Sequence, residues 1–207
     1  MAAAPLPAHL FARVDESPDA EFYAEPRFVV HIDPETIAAL TGLYREELES
    51  GSKLLDLMSS WVSHLPTDVA YAHVFGVGMN AQELAANPRL DAWAVRDLNT
   101  QPLLDFADAS FDAVLCAVSV QYLTRPVEVF RECARLLRPG GKLVVATSHR
   151  LFPTKAIAAW RSLAAADRMA FLRLCLERAG GFEAPRLLDR SPRLADPLWV
   201  LIAARSC

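Results

Sequence analysis

Short apolar runs alternate with amphipathic segments along most of this chain. The runs fall at residues 54–58, 72–77, 92–95, 113–118 and 142–147. Between them, apolar residues recur at helical spacing, most clearly in the segment that begins at Pro126. Runs that are apolar on both faces are typical of parallel strands covered by helices on each side. The pattern therefore predicts an α/β fold with a doubly wound, mostly parallel sheet.

The two ends of the chain depart from this pattern. Residues 1–26 carry several prolines and no sustained period, so we expect an irregular N-terminal arm before a single domain over residues 27–207. Asp33-Pro34 suits the start of a helix, which we expect to end at Gly51. Two late runs, at 185–188 and 198–203, are close enough to pair as an antiparallel hairpin at the sheet edge. The whole predicts a seven-stranded sheet.

Composition excludes several classes of function. The chain of 207 residues is 53% apolar and 22% charged with a net charge of −4, which suits one globular domain without a basic nucleic-acid surface. Its four cysteines form no CxxC pair, so we expect free thiols in a reducing, cytoplasmic compartment and no metal site. No apolar run reaches membrane-spanning length, and the first ten residues do not form a secretory signal. A small-molecule partner is the remaining expectation, with no prediction of oligomeric state.

The stretch from residue 53 to 64 carries the first candidate chemistry. Asp56 interrupts an apolar strand, and a buried carboxylate is costly unless other groups satisfy it. Ser59, Ser60 and Ser63 follow in a turn, and we expect a helix or an irregular turn from about Trp61. Open α/β sheets bind ligands at the carboxyl ends of their strands. This turn is therefore a candidate ligand site; the alternative is that the serines only cap the next helix.

Several motifs at these strand ends resemble those of the class I S-adenosylmethionine-dependent methyltransferases, over about residues 35–203. In chain order they are Leu54-Leu55-Asp56-Leu57, Val74-Phe75-Gly76-Val77, Asp97, Ala109-Ser110-Phe111-Asp112-Ala113-Val114 and Leu136-Leu137-Arg138-Pro139-Gly140-Gly141-Lys142-Leu143. The resemblance implies a Rossmann-like methyltransferase fold whose sixth and seventh strands are the late hairpin. It also implies S-adenosyl-L-methionine as the cofactor and an unidentified small molecule as the methyl acceptor.

The resemblance assigns provisional roles to individual residues. The cofactor would contact residues at the ends of the first four strands: Asp56, Met58, Ser59, Ser60, Gly78, Met79, Asn80, Asp97, Leu98 and Ser119. Among these, Asp97 would accept a hydrogen bond from the adenine amino group. Tyr122 and Gln121 would orient the acceptor, and His149 would act as a base, with His64 as a second candidate.

Two positions depart from the family pattern. The first loop lacks the usual glycines, and Gly78 stands where the family has an acidic residue that binds the ribose hydroxyls. Asn80 can replace that contact, or it can simply cap the following helix. Arg27, ahead of the first strand, can pair with a carboxylate on the cofactor or substrate, or lie on the surface. Two functions therefore stay open: a divergent methyltransferase, and a catalytically silent Rossmann-like module that binds a ligand or a protein.

Overall fold

Seven strands form a single sheet in the computed structural model, which describes residues 5–207. The strands are β1 Lys53–Ser59, β2 His73–Gly78, β3 Ala92–Val95, β4 Phe111–Ala117, β5 Leu137–Thr147, β6 Arg186–Asp189 and β7 Trp199–Ala204. Their order is β3-β2-β1-β4-β5-β7-β6; the first five are parallel, and β7 runs antiparallel to both β5 and β6. The predicted doubly wound sheet with an antiparallel edge hairpin is confirmed.

Six α-helices accompany the sheet in the described part of the chain. They are α1 Asp19–Phe22, α2 Pro34–Glu47, α3 Ala81–Ala86, α4 Pro126–Leu136, α5 Ala158–Ser162 and α6 Ala165–Ala179. Asp33 caps α2 as predicted, because its Oδ1 accepts a hydrogen bond from the Thr36 amide at 2.8 Å. The predicted end of α2 at Gly51 is wrong: Leu48 already has extended backbone, and Gly51 adopts a φ of 80° in the turn that follows.

The apolar runs are buried on both faces, which explains why they lack strict alternation. In β1, Leu55 and Leu57 join the core that contains α4 and α6, whereas Leu54 joins the core that contains α2. In β4, Val114 and Leu115 divide between the two cores in the same way. A parallel sheet covered by helices on both sides requires this arrangement.

The segment after β1 takes the irregular alternative and not the helix. No helix follows Ser59, and residues 60–72 are irregular up to β2. The hydroxyls of Ser59 and Ser63 bond Asp56 instead of capping a helix, and His64 has a φ of 54°, which no helix accommodates. Pro66, two residues after His64, removes a further backbone donor. Local side-chain bonds therefore replace helix formation here.

The predicted irregular arm contains only short helical turns. Its residues 1–4 lie outside the described part of the chain; the rest includes a 3₁₀ turn at Ala8–Phe11 and the single-turn helix α1. Backbone hydrogen bonds join Ala158 to Ala12 and Asp15 to Thr154 at 2.8 and 2.9 Å. The arm is therefore fixed against the segment that follows β5, on the side of the sheet where the strands end.

Among residues 5–207, no helix is long and apolar enough to cross a membrane. Within the same range, no group of three or more His, Cys, Asp or Glu side chains is placed to hold a metal ion.

Candidate active site at the strand ends

A cavity lies at the carboxyl ends of the central strands, where an open parallel sheet binds its ligand. The structure brings eleven of the residues predicted for the site to its walls: Asp56, Met58, Ser59, Ser60, Gly78, Met79, Asn80, Asp97, Leu98, Ser119 and Tyr122. Because these residues come from the ends of β1, β2, β3 and β4, the strand order alone places them together. We propose that these residues contact the cofactor.

Asp56 is buried at the base of this cavity and organises the loop after β1. Its Oδ2 accepts hydrogen bonds from the Ser59 and Ser63 hydroxyls, at 2.6 and 2.7 Å. Burial raises the pKa of Asp56 to about 6, although both serine bonds act in the opposite direction. Asn87 extends the network by donating to the Ser63 hydroxyl and to the Ser60 carbonyl, both at 2.8 Å. This network holds the loop in the absence of a helix.

Three residues at the cavity have left-handed backbone although none is glycine. Met58 has a φ of 55°, His64 of 54° and Val118 of 50°, and all three line the cavity. For a residue with a Cβ this conformation costs on the order of 1–2 kcal/mol. Met58 lies in the first loop, where the resemblance expected glycines. Strain of this kind clusters at functional sites.

Gly78 ends β2 where the resemblance expected an acidic residue. A Cβ added to Gly78 would lie 2.1 Å from the Ser59 carbonyl oxygen, a distance at which something must move. The backbone therefore excludes every side chain at this position, the acidic one included. The cavity wall here is bare backbone.

Asn80 caps the start of α3, which is the second of the two roles considered for it. Its Oδ1 accepts from the amides of Gln82 and Glu83, at 2.9 and 3.2 Å. Its Nδ2 donates to the carbonyls of Tyr23 and Ala24 on the arm, both at 3.0 Å. Asn80 lines the cavity, but both ends of its amide group already have partners within the chain.

The far end of the cavity is formed by the turn after β3. Asp97 accepts a hydrogen bond from the Asn99 amide through Oδ1, at 2.8 Å, which leaves capacity for a further donor at its other oxygen. Leu98 is buried beside it and supplies an apolar surface. An acceptor next to an apolar wall suits a planar base with an exocyclic amino group.

A further wall lies beside β4 and contains aromatic rings; it is joined to the Asp97 turn, because Asn99 Nδ2 donates to the Tyr122 carbonyl at 3.0 Å. The Tyr122 ring stacks on Phe152 with centroids 5.7 Å apart, and the Tyr122 hydroxyl accepts from the Phe152 amide at 2.8 Å. Ser119 lies on this wall, with its hydroxyl 3.3 Å from the Cys116 sulfur. This is the wall at which the resemblance placed methyl transfer.

Two predicted catalytic residues do not line the cavity. Gln121 is buried behind the wall, where its Nε2 donates to the Val118 carbonyl at 2.9 Å. His149 lies outside, and its Nε2 is 3.3 Å from an oxygen of Asp196. Both predictions relied on position after a strand, which does not show where the side chain goes. The second candidate base, His64, does line the cavity.

The structure adds residues that the sequence did not single out for this site. Glu83 lines the cavity and accepts hydrogen bonds from the Ser60 hydroxyl and the Arg27 amide, at 2.5 and 2.7 Å. Asp19 and Tyr23 on the arm complete the wall. Glu83 is in the first turn of α3, three residues after the Asn80 cap, where a glutamate is common in any helix, so no local signal set it apart as a cavity residue.

The comparisons with known proteins agree with this geometry. Residues 58–145 match a family model described as a methyltransferase domain. A ubiquinone biosynthesis O-methyltransferase of Xanthomonas oryzae pv. oryzae (strain PXO99A) is 42% identical over 57 residues, which are 26% of this chain and 24% of that protein. A malonyl-[acyl-carrier protein] O-methyltransferase of Hahella chejuensis is 33% identical over 95 residues, or 43% of this chain and 33% of that protein.

A solved structure extends the likeness to most of the chain. Phosphoethanolamine N-methyltransferase 2 of Haemonchus contortus, in complex with S-adenosyl-L-methionine, superposes with a TM-score of 0.60 at 15% identity. The superposition covers 82% of this chain and 52% of that one. At this identity the likeness shows the fold.

The seven-stranded fold is that of the class I methyltransferases, and the methyltransferase-domain model matches 88 of the 207 residues. These findings support S-adenosyl-L-methionine as the cofactor. The matched segments span only about a quarter to a third of the two curated relatives, so their whole activities do not carry over directly.

Proposed function

We propose that this chain transfers the methyl group of S-adenosyl-L-methionine to an oxygen atom of a small molecule. The observation that carries the proposal is the single cavity that joins an adenine-type acceptor at Asp97 to an aromatic wall at Tyr122, across the ends of β1 and β2. Both curated relatives described above are named as O-methyltransferases, which supports oxygen as the acceptor atom.

The residues in the cavity suit the adenine and methionine parts of the cofactor, but they depart from the family at the ribose. Asp97 and Leu98 would hold the adenine ring, and the left-handed turn at Met58 with the Ser60 hydroxyl would hold the methionine part. At the ribose, Gly78 supplies only backbone. When bound, the cofactor supplies a methyl group on a positively charged sulfur; the chain's part is to align the acceptor and exclude water.

A silent binding module is the second candidate, because the arm fills part of the cavity. Its free volume is about 120 Å³, whereas pockets for ligands of drug size measure roughly 300–1,000 Å³. Tyr23 and Ala24 accept from Asn80 near the ribose position. A methyltransferase would have to shift this part of the arm to admit its cofactor, whereas a silent module would keep it in place.

Thermal unfolding with added ligand separates the two candidates. We expect 1 mM S-adenosylhomocysteine to raise the melting temperature by several degrees, because a ligand at about a hundred times its dissociation constant stabilises by about 3 kcal/mol. Adenosine alone should give a smaller rise. An unchanged melting temperature with S-adenosylmethionine and S-adenosylhomocysteine would favour the silent module.

We also propose a cytoplasmic location. The support is that Cys116, Cys133 and Cys175 are buried free thiols, as in proteins of reducing compartments.

A further inference from the structure

Arg27 has a buried donor that nothing in the described part of the chain satisfies. Its Nη1 is buried without a hydrogen-bond partner, while its Nη2 donates to the Phe22 carbonyl at 2.8 Å. Glu83 accepts from the backbone amide of Arg27 and not from the guanidinium. A buried charged donor that lacks an acceptor is costly, and Arg27 lines the cavity. An anionic group on a ligand would remove that cost.

The guanidinium lies on the aromatic side of the cavity. Its Cζ is 4.5 Å from the Phe22 ring centroid and 5.6 Å from that of Phe152. Phe152 in turn stacks on Tyr122, at the wall beside β4. The rings fix the guanidinium plane, and a planar donor pair matches a carboxylate. The anion that fits here therefore lies beside Phe22 and Phe152, at the wall that carries Tyr122.

Three of the carboxylates on the cavity walls accept hydrogen bonds within the chain. Asp56 accepts from two serine hydroxyls through Oδ2 alone, and Glu83 accepts from Ser60 and the Arg27 amide. Asp19 accepts from Arg13 at 2.5 Å and from Asn99 at 2.9 Å. Glu83 and Asp19 would have to give up internal bonds to take a proton from an acceptor, and Asp97 is assigned to the adenine, so Asp56 is the one wall carboxylate left as a base.

The imidazoles and phenols on the walls are weak bases for the same task. Burial lowers the pKa of His64 to about 4 and also lowers the pKa of His31. Burial raises the pKa of Tyr23 and of Tyr122, so both phenols stay protonated. An acceptor that is already ionised at neutral pH needs no base.

We propose that the methyl acceptor is a carboxylate held by Arg27 and that the product is its methyl ester. The inference rests on the proposed function. The step balances without proton transfer: one carboxylate oxygen forms a bond to the methyl carbon, and the carbon–sulfur bond breaks with its electron pair left on sulfur. The carboxylate loses its charge, and so does the sulfonium.

Calorimetric titration with paired acids and amides tests this proposal without requiring turnover. The probes are straight-chain acids from acetate to decanoate and 3-phenylpropanoate, each with its primary amide, titrated with saturating S-adenosylhomocysteine present. We expect at least one acid to bind about tenfold or more tightly than its amide, the ratio that a charge-assisted hydrogen bond supports. Arg27→Gln should abolish that preference and leave S-adenosylhomocysteine affinity unchanged.

Two further variants support the interpretation. Arg193→Gln removes an exposed arginine outside the cavity and should leave the preference for acids intact. Arg27→Lys keeps the charge and should retain a weakened preference, which covers the case in which Arg27→Gln fails to fold. Failure of S-adenosylhomocysteine to bind the wild type would contradict the proposed function itself.

Two outcomes would overturn the acceptor proposal while leaving the proposed function in place. In the first, Arg27→Gln weakens S-adenosylhomocysteine but not 5′-methylthioadenosine, which lacks the carboxylate; Arg27 would then bind the cofactor. In the second, the wild type binds no acid more tightly than its amide.

Discussion

The carbonyl oxygen of Ser59 occupies the space that a side chain at Gly78 would need. The pairing of β1 with β2 shifts register between Leu57 and Ser59, and Met58 between them is left-handed. That shift places Ser59 opposite Gly78, with its oxygen 2.1 Å from the position of an added Cβ. The altered first loop and the absence of the ribose-binding acid are therefore linked, because the backbone of that loop leaves no room for a side chain at position 78.

Gly78→Ala tests this relationship. We expect it to lower the free energy of unfolding by about 1–3 kcal/mol, as overpacked substitutions do. Urea unfolding of the variant and wild type measures the difference. Gly42→Ala is the matched control, since an added Cβ there meets nothing within 4 Å and alanine favours the helix by about 0.5–1 kcal/mol. Equal stability of Gly78→Ala and wild type would contradict the prediction, because it would mean that the backbone at Ser59 moves away from an added Cβ at little cost.

Asp56 should make stability depend on pH in an unusual direction. Burial raises its pKa from 3.8 to about 6, so the folded chain binds this proton more tightly than the unfolded chain does. Its contribution to stability is complete below pH 3.8 and is lost as the pH rises through about 6.

Asp56→Asn removes this titration and retains a side-chain oxygen for Ser59 and Ser63. The stability of wild type relative to Asp56→Asn should fall by about 2 kcal/mol between pH 4 and pH 7. Denaturant unfolding across that range measures it, and Asp105→Asn, an exposed carboxyl, serves as control. A constant difference between wild type and Asp56→Asn would contradict the raised pKa.

Lys155 holds the arm in place from a fully buried position. Its Nζ donates to the Ser17 carbonyl at 2.6 Å and lies 3.2 and 3.3 Å from oxygens of Asp15 and Asp19. Lys155→Met leaves the Ser17 carbonyl without its donor and Asp15 without its cation, while Asp19 keeps Arg13 at 2.5 Å, so we expect a cost of about 1–3 kcal/mol. We expect trypsin to cleave after Arg13 much faster in this variant.

Lys142→Met provides the comparison for that experiment. The Lys142 ammonium pairs with Glu47 at 3.0 Å but is 38% exposed, so its loss should cost at most about 1 kcal/mol. The arm should stay protected in it. Equal cleavage rates in the two variants would mean that backbone bonds alone hold the arm.

The sequence predicted the sheet well because strand signals here are local. Runs such as 113–118 are apolar throughout, and caps such as Asp33 and Gly180 announce helix ends a few residues away. The place of the late hairpin as the sixth and seventh strands then followed from the resemblance. Residues at the strand ends, such as Asp97 and Ser119, were found for the same reason.

The rest depended on contacts between distant segments. For the segment after Ser59 the local pattern allows a helix or an irregular turn, and the bonds of Ser63 to Asp56 and Asn87 favour the irregular form. Arg27 meets Glu83 at the cavity because the N-terminal segment returns over the sheet. Residues 1–26 show no periodic pattern from which their packing against the cavity could be predicted.

The central claim is that the cofactor lies across these strand ends with its adenine at Asp97. Calorimetric titration of S-adenosylhomocysteine into wild type, Asp97→Ala and the exposed control Asp105→Ala tests it most directly. We expect micromolar affinity for wild type and control, about −8 kcal/mol, and a loss of tenfold or more for Asp97→Ala with its fold intact. Absence of binding to wild type at millimolar ligand, or unchanged affinity in Asp97→Ala, would contradict the account.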